Sequence, residues 1–421
     1  MEIELINTGS ELLLGRVLNT HQQWLGETLS DAGYILTRQE TVPDTAEAIC
    51  EAVKVALGRA DLVITTGGLG PTSDDITRER IAGMLARPLH YDEAIAEHIT
   101  SFFARRARPM PESVLVQAQI PEGAVVFANE LGTAPGLAME VPGTGDGGSP
   151  PWLVMLPGPP RELRPMVEAQ VLPFIQRELP LAAAFHCRTL RSMGIGESMV
   201  EDQLLTRLRP LMDQGLDLGF CARTGQVDIR LCGHGDVVPG LIDEAEALIR
   251  GEFGKFIYGT DGESIAKVVV DRLIDLGQTV AVAESCTGGF LGHNITSIPG
   301  ASAVFVGGII SYSNELKHKL LDVKNDTLEK HGAVSKAVAI EMAEGACAAT
   351  GADHTLSVTG IAGPGGGSTE KPVGTVWLGL ASAGKRPLAV KKHHPYNRET
   401  FKQASVNQSL ELLRRRIHRD C

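Results

Sequence analysis

Short apolar runs alternate with segments of helical periodicity through the first 180 residues of the chain. The pattern predicts a strand over 3–7, a Thr8-Gly9-Ser10-Glu11 loop, and a helix over 20–32. A second strand over 34–41 and a helix over 45–57 follow. A buried strand over 61–66 then runs into a glycine-rich turn, with a helix from Asp75 onward. Alternation of this kind is the pattern of a parallel α/β sheet. Such sheets take ligands at the carboxyl ends of their strands, where these loops fall. The stretch 143–151 (GTGDGGSPP) reads as a surface excursion, followed by a strand over 152–156, a tight Pro157-Gly158-Pro159-Pro160 turn and a helix over 162–177. Segments 188–193 and 227–232 with a helix over 237–250 suggest a small α+β module at about 180–255. Its first helix opens at Gly194-Ile195-Gly196-Glu197, a glycine-containing loop that hints at RNA binding or serves a plain spacer. A second α/β unit starts near Ser264: a helix over 265–276, a strand over 279–283, a helix opened by 284–289, a strand over 303–311 and a helix over 336–350. A strand over 355–359 ends in a second glycine-rich loop, 360–367, and no internal repeat relates the two halves.

Composition narrows the class. A chain of 421 residues implies two to four domains. Its 43% hydrophobic and 21% charged content excludes a largely disordered protein. No run approaches the ~20 apolar residues of a membrane helix, and the first residues, MEIEL, lack a basic segment followed by an apolar one, so neither membrane insertion nor a signal peptide is expected. The seven cysteines are scattered without a CxxC pair, which argues for reduced thiols in a cytoplasm. A net charge of -12 disfavours bulk attraction to nucleic acid.

Three loops of the first unit carry candidate chemistry. In the segment 66–75 (TGGLGPTSDD), Gly67, Gly68 and Gly70 let backbone N–H groups approach an anion, with Thr72 beside them and a helix N-terminus adding its dipole. Asp74 and Asp75 have two readings, as caps of that helix or as ligands of a divalent metal bridging phosphates. The other loops hold Gly9 and Glu11 with Asn19 at the next helix, and Thr133 and Gly136 in GTAPG. Together they would make a nucleotide cleft.

TGSELLLG at 8–15, TTGGLGPTSDDIT at 65–77 and GTAPG at 132–136 resemble the molybdopterin-binding-like domain of the CinA family. AESCTGG at 283–289, GGIISYSNELKHKLL at 307–321, HGAVS at 331–335, TGIAGPGGG at 359–367 and KPVGTV at 371–376 resemble its nicotinamide-nucleotide amidohydrolase domain. The resemblance spans nearly the whole chain in the family's order. It implies two α/β domains, at 1–179 and 257–421, joined by a KH-like module at 180–256. It also implies two activities: hydrolysis of nicotinamide mononucleotide to nicotinate mononucleotide and ammonia, and a metal-dependent split of ADP-ribose. The implied cofactor is a divalent ion (Mg, Mn or Co) at the N-terminal site, with potassium a further candidate, and none at the C-terminal site. The implied partners are these small nucleotides, without nucleic acid or membrane, in a homodimer.

Amide hydrolysis needs a nucleophile, a base, an oxyanion site and a grip on the phosphate. Ser285 sits at a strand-to-helix turn, where its hydroxyl can be exposed beside free backbone N–H groups. No His-Asp pair lies near it, and the resemblance instead implies a serine–lysine pair with Lys317 as base. Desolvation or a neighbouring cation must then lower the lysine pKa. Tyr312 could hydrogen-bond the pair, and the resemblance adds Thr359. Glu284, Thr287 and Gly288 at the turn, Gly363, Gly365 and Gly366 around the ribose phosphate, and Arg398 are the implied substrate contacts. As plain structure, Ser285 or Thr287 would be an N-cap, Lys317 a solvated lysine and the glycine loop a loop. Two other functions stay open: an N-terminal pterin- or nucleotide-binding module without turnover, and a role in DNA competence or recombination.

Overall fold

A computed structural model describes residues 1–142 and 150–418 of the chain; residues 143–149 of the glycine-rich excursion and the last three residues, with Cys421, lie outside them. The molecule divides into two compact units, Met1–His186 and Cys187–Cys421.

The first unit is built on a six-stranded sheet in the order Leu36–Val42, Ile3–Thr8, Leu62–Thr66, Trp152–Leu156, Gly136–Glu140, Val125–Phe127. The first four strands are parallel, and the last two run antiparallel. The expected parallel sheet is therefore a parallel core with an antiparallel edge. Ile3–Thr8 (IELINT) is buried at all six positions, the polar Glu4, Asn7 and Thr8 as well as the apolar Ile3, Leu5 and Ile6. Its side chains alternate between two cores: Ile3 and Leu5 pack with Leu62 and Ile64 on one face, Ile6 with Val63, Leu153 and Met155 on the other. Leu36–Val42 is the exposed edge and correspondingly polar. The predicted single helix over 162–177 is interrupted. An α-helix at Pro160–Met166 passes through a π turn at Val167–Val171 into Leu172–Glu178. Pro173 has no N–H to continue the ladder there.

The second unit holds two sheets. Four strands, in the order Asp217–Arg223, Gln226–His234, Phe185–Met193, Ile257–Thr260, share a core with the helices Glu197–Met212 and Val238–Phe253. Asp217–Arg223 escapes the sequence pattern because it is a largely exposed edge strand held by the hairpin to Gln226–His234. The remaining residues form a five-stranded sheet in the order Phe305–Ile310, Val280–Glu284, His354–Gly360, Thr375–Ser382, Lys385–His393. Its first three strands are parallel and its last two antiparallel. The helix Arg398–His418 lays Phe401, Leu410, Leu413 and Ile417 onto the larger core of this sheet. The parallel strands Val280–Glu284 and His354–Gly360 both end beside the AESCTGG turn. Among the described residues, no helix is long and apolar enough to cross a membrane.

Candidate functional site

Val280–Glu284 is fully buried and fixes the position at which the chain turns. Ser285 donates its N–H to the Val358 carbonyl at 2.9 Å, and Gly288 closes the turn with an N–H to the Ser285 carbonyl at 3.1 Å. Gly288 and Gly289 take positive φ of 63° and 100°, which only glycine adopts without strain. The helix behind the turn, Phe290–Thr296, has no capping side chain of its own. Glu284 supplies one from the strand: its carboxylate, 1% exposed, accepts the N–H groups of Gly289, Leu291 and Gly292 at 2.8–3.0 Å. The side chain thus serves the helix start rather than facing a ligand. Among the described residues, no carbonyl takes the N–H of Cys286 or Thr287.

Lys317 arrives from the helix Asn314–Leu321, whose N-cap Ser313 accepts from the Leu316 N–H. It is 1% exposed, and its Nζ lies 3.1 Å from the Ser285 Oγ, 2.8 Å from the Ser311 carbonyl and 3.2 Å from the Tyr312 carbonyl. The two carbonyls accept only, so they take two N–H groups and leave one tetrahedral position of the amine on the serine hydroxyl. Burial lowers the Lys317 pKa, which favours the neutral amine. A neutral amine has a lone pair at that third position and accepts the Ser285 proton. Cys286, next in the chain, is no rival nucleophile, because burial pushes its thiol up to about 12.

Tyr312 meets the pair through its carbonyl alone. Its side chain is 60% exposed, and its hydroxyl receives an N–H from Arg398 at 3.2 Å, which corrects the expectation of a hydroxyl bonded to the pair. Arg398 also donates to the Gly363 carbonyl at 3.1 Å, tying the glycine loop to Tyr312. Gly363 needs its missing side chain, since a Cβ there would stand 2.6 Å from Val373. Gly365 and Gly366 lie in the exposed part of that loop. Thr359 is buried and donates its hydroxyl to the Ala333 carbonyl of the HGAVS segment. Thr287 is wholly buried, and its hydroxyl lacks a partner, as does that of Ser311.

In the first unit, a cavity of about 770 Å³ opens at the ends of Ile3–Thr8 and Leu62–Thr66. Gly9, Glu11, Asn19, Gly67, Gly68, Gly70, Asp74, Asp75 and Thr133 all line it. Thr72 and Gly136 do not. Thr72 holds Asp75 through its N–H at 3.0 Å and its hydroxyl, while Gly136 is packed against Met166 and Phe127. The helix expected from Asp75 begins at Thr77 behind Ile76, without a side-chain cap, so neither aspartate caps it. Asp75 staples the loop instead. Asp74 is exposed, and its bond with Thr72 lowers its pKa. Asn19 performs the helix-capping role, accepting from the His21 and Gln22 N–H groups. Gly68 has φ of 68°, and a Cβ there would meet the Thr77 hydroxyl at 1.9 Å.

Sequence reasoning missed His21, Asp44, Gln117 and Glu162 on the cleft wall. Asp44 accepts the Ser10 N–H across 34 residues, and Glu162 accepts from Asn129, contacts with no local spacing to reveal them. The Pro157–Pro160 turn was the available signal, since it carries Gly158, whose carbonyl lies 2.6 Å from the His21 Nε2. Five carboxylates (Glu11, Asp44, Asp74, Asp75, Glu162) line the cleft, and among the described residues no lysine or arginine does. Among the described residues, no three acidic, histidine or cysteine side chains gather as a ready metal cage. A pair of carboxylates with water and phosphate oxygens is nevertheless the donor set that a small hard cation accepts.

Residues 4–177 match the family model described as a probable molybdopterin binding domain, 187–259 the damage-inducible protein CinA KH domain, and 262–417 the CinA C-terminal domain. A CinA-like protein of Akkermansia muciniphila is 43% identical over 98% of this chain and 97% of its own length. A CinA-like protein of Kosmotoga olearia is 41% identical over 99% of each. Among solved structures, competence/damage inducible protein CihA from Agrobacterium tumefaciens is 40% identical, covering 35% of this chain and 91% of its own at a TM-score of 0.35.

Proposed function

The chain belongs to the CinA family, and from that premise we propose that its C-terminal domain hydrolyses the carboxamide of nicotinamide mononucleotide. The observation that carries the reading is the Lys317 amine, buried with no carboxylate partner among the described residues and 3.1 Å from the Ser285 hydroxyl. The Ser285 Oγ attacks the carboxamide carbon as its proton passes to Lys317. The N–H groups of Cys286 and Thr287 face the developing oxyanion at the helix start. Collapse expels ammonia with the proton returned from Lys317. Water, deprotonated by the same amine, then cleaves the ester to nicotinate mononucleotide and restores Ser285. Arg398 and the Gly363–Gly366 backbone hold the nucleotide phosphate, with Tyr312 oriented by Arg398 at the entrance.

The test is ammonia release from nicotinamide mononucleotide by wild type, Ser285→Ala and Lys317→Ala. Loss of about 10³-fold or more in both variants, at unchanged melting temperature, supports the pair. Activity that survives Ser285→Ala moves the nucleophile elsewhere, and an inactive wild type removes the reading.

Among the described residues, the cleft holds five carboxylates and no lysine or arginine, which favours a second reaction in the first unit, the splitting of ADP-ribose to AMP and ribose 5-phosphate. A diphosphate entering that cleft needs a countercharge the chain does not supply. Asp74 and Asp75 would hold a divalent cation (Mg, Mn or Co), which when bound offsets the phosphate charge and polarises a phosphoryl oxygen. The backbone of Gly67, Gly68 and Gly70 cradles the phosphates, and Thr72 keeps Asp75 in place. AMP release that requires added metal and is lost in Asp75→Ala supports turnover. Nucleotide binding without product leaves a binding module.

A further inference from the structure

Two cysteines far apart in sequence meet in the small module of the second unit. Cys187 opens that unit on the strand Phe185–Met193, and Cys232 lies near the end of the strand Gln226–His234. The two strands are neighbours in the four-stranded sheet. Gly194 donates its N–H to the Gly225 carbonyl at 3.2 Å, Ser192 its hydroxyl to the Val227 carbonyl at 2.6 Å, and Arg191 an N–H to the Asp228 carboxylate at 2.8 Å. Each step back along one strand is a step forward along the other, so the pairing is antiparallel, and its continuation sets Cys187 opposite Cys232. Opposed residues of an antiparallel pair have Cα atoms about 4.5–5.5 Å apart, inside the roughly 4.4–6.8 Å span of disulfides. The side chains agree with this register, since the two thiols are hydrogen-bonded to each other.

Leu190, Ile229 and Leu231 alternate with this pair along the strands and face the helix-covered core. Cys187 and Cys232 therefore stand on the other face of the sheet, where both are half-buried. Arg230 shares that face and donates a guanidinium N–H to the Cys187 sulfur at 3.3 Å. A guanidinium on a sulfur favours the thiolate, which is the form that attacks disulfides. A cysteine buried among apolar side chains is inert, whereas this pair has a cation beside it and partial access to solvent.

We propose that Cys187 and Cys232 close into a reversible disulfide by exchange with a small-molecule disulfide, Cys187 attacking and Cys232 resolving. In the first step, the Cys187 thiolate bonds one sulfur of the small disulfide, whose S–S bond breaks and expels one thiolate. In the second, Cys232 gives its proton to solvent and its sulfur attacks that of Cys187, expelling the other thiolate. Two protein thiols are oxidised, and one small disulfide is reduced to two thiols. The order follows from the groups around the pair. The hydrogen bond to Cys187, and then burial, push the Cys232 thiol up, while Arg230 pulls it down. Once Cys187 is a neutral mixed disulfide, the raising influence of its thiolate is gone and that of Arg230 remains, so Cys232 ionises after the first step. The product staples the start of the second unit to the strand Gln226–His234 across residues 188–231.

The experiment incubates the full-length protein with oxidised glutathione, then maps its cysteines by alkylation under denaturing conditions and peptide mass spectrometry. The expected result is a linked pair of peptides carrying Cys187 and Cys232, with both thiols recovered on adding dithiothreitol. Cys232→Ser should stop at a glutathione adduct on Cys187. Cys187→Ser should acquire an adduct on Cys232 about tenfold or more slowly. A wild type whose Cys187 and Cys232 both stay alkylatable overturns the proposal. So does a cross-link from either of them to Cys221, which lies opposite Asp228 on the strand Asp217–Arg223, four residues or ~13 Å along the sheet from Cys232. Equal adduct rates in the two single variants overturn the assigned order of attack. The wild-type peptide map is read without any variant, so a substitution that failed to fold leaves the test standing.

Discussion

Lys317 is a charged residue type held where charge is disfavoured, and its titration carries the most information of any residue here. Burial lowers its pKa in the folded chain from the ordinary 10.5, to which the unfolded chain returns. Between those two values, the unfolded chain binds more protons than the folded one, so stability rises with pH across the window. Lys317→Met removes the amine without emptying the site. We expect it to flatten that slope in melts taken from neutral pH to about pH 10, at equal or higher melting temperature, while abolishing ammonia release. The wild-type rate should rise with pH through the lowered Lys317 value, since only the neutral amine accepts the serine proton. Glu284 makes the opposite prediction. Glu284→Gln puts an amide among three N–H donors and should cost about 1–3 kcal/mol, seen as a lower melting temperature. The residue types around Ser285 and its pairing with Lys317 were implied by the motifs, but the partners of Glu284 and of the Tyr312 side chain were not. Glu284 faces the helix start, and Tyr312 offers a carbonyl rather than its hydroxyl, because both depend on where strands end in space.

Elements were legible wherever a strand is buried on both faces or a helix has a clean cap. The helices Ile265–Leu276 and Lys336–Thr350 fall at the expected residues, with Ser264 and Ser335 capping them. Exposed edges such as Asp217–Arg223 carry too little apolar signal, and the π turn at Val167–Val171 leaves no mark in periodicity. The glycine-rich loop of the first unit shows what an element demands of one position. Gly68→Ala combines a positive φ with a clash against Thr77 and should cost about 1–3 kcal/mol, with loss of nucleotide binding. Gly83, inside the helix Thr77–Met84, has open space where a Cβ would go. Gly83→Ala should therefore stabilise the same unit by about 0.5–1 kcal/mol. Chemical denaturation of the two variants checks both signs at once. If they shift alike, the loop does not need its glycine.

At the scale of the whole molecule, each candidate site lies inside one compact unit: Asp74 and Asp75 in Met1–His186, Ser285 and Lys317 in Cys187–Cys421. The described residues argued for each site belong to a single unit, so a ligand of one is expected to stabilise that unit first. Two cores of this size are also free to unfold in separate steps, which a calorimetric scan resolves as two transitions. In Ser285→Ala, which holds nicotinamide mononucleotide without consuming it, the ligand at 100 times its dissociation constant should stabilise the second unit alone, by about 2.7 kcal/mol. AMP with a divalent cation should move only the other transition, and a chelator should cancel that shift while leaving the first ligand's effect intact. The same independence predicts that Asp75→Ala retains full ammonia release and that Ser285→Ala retains full AMP release. A single transition raised by both ligands would mean that the two units fold as one cooperative block, and the activities would then have to be tested for coupling before either was assigned to its own site.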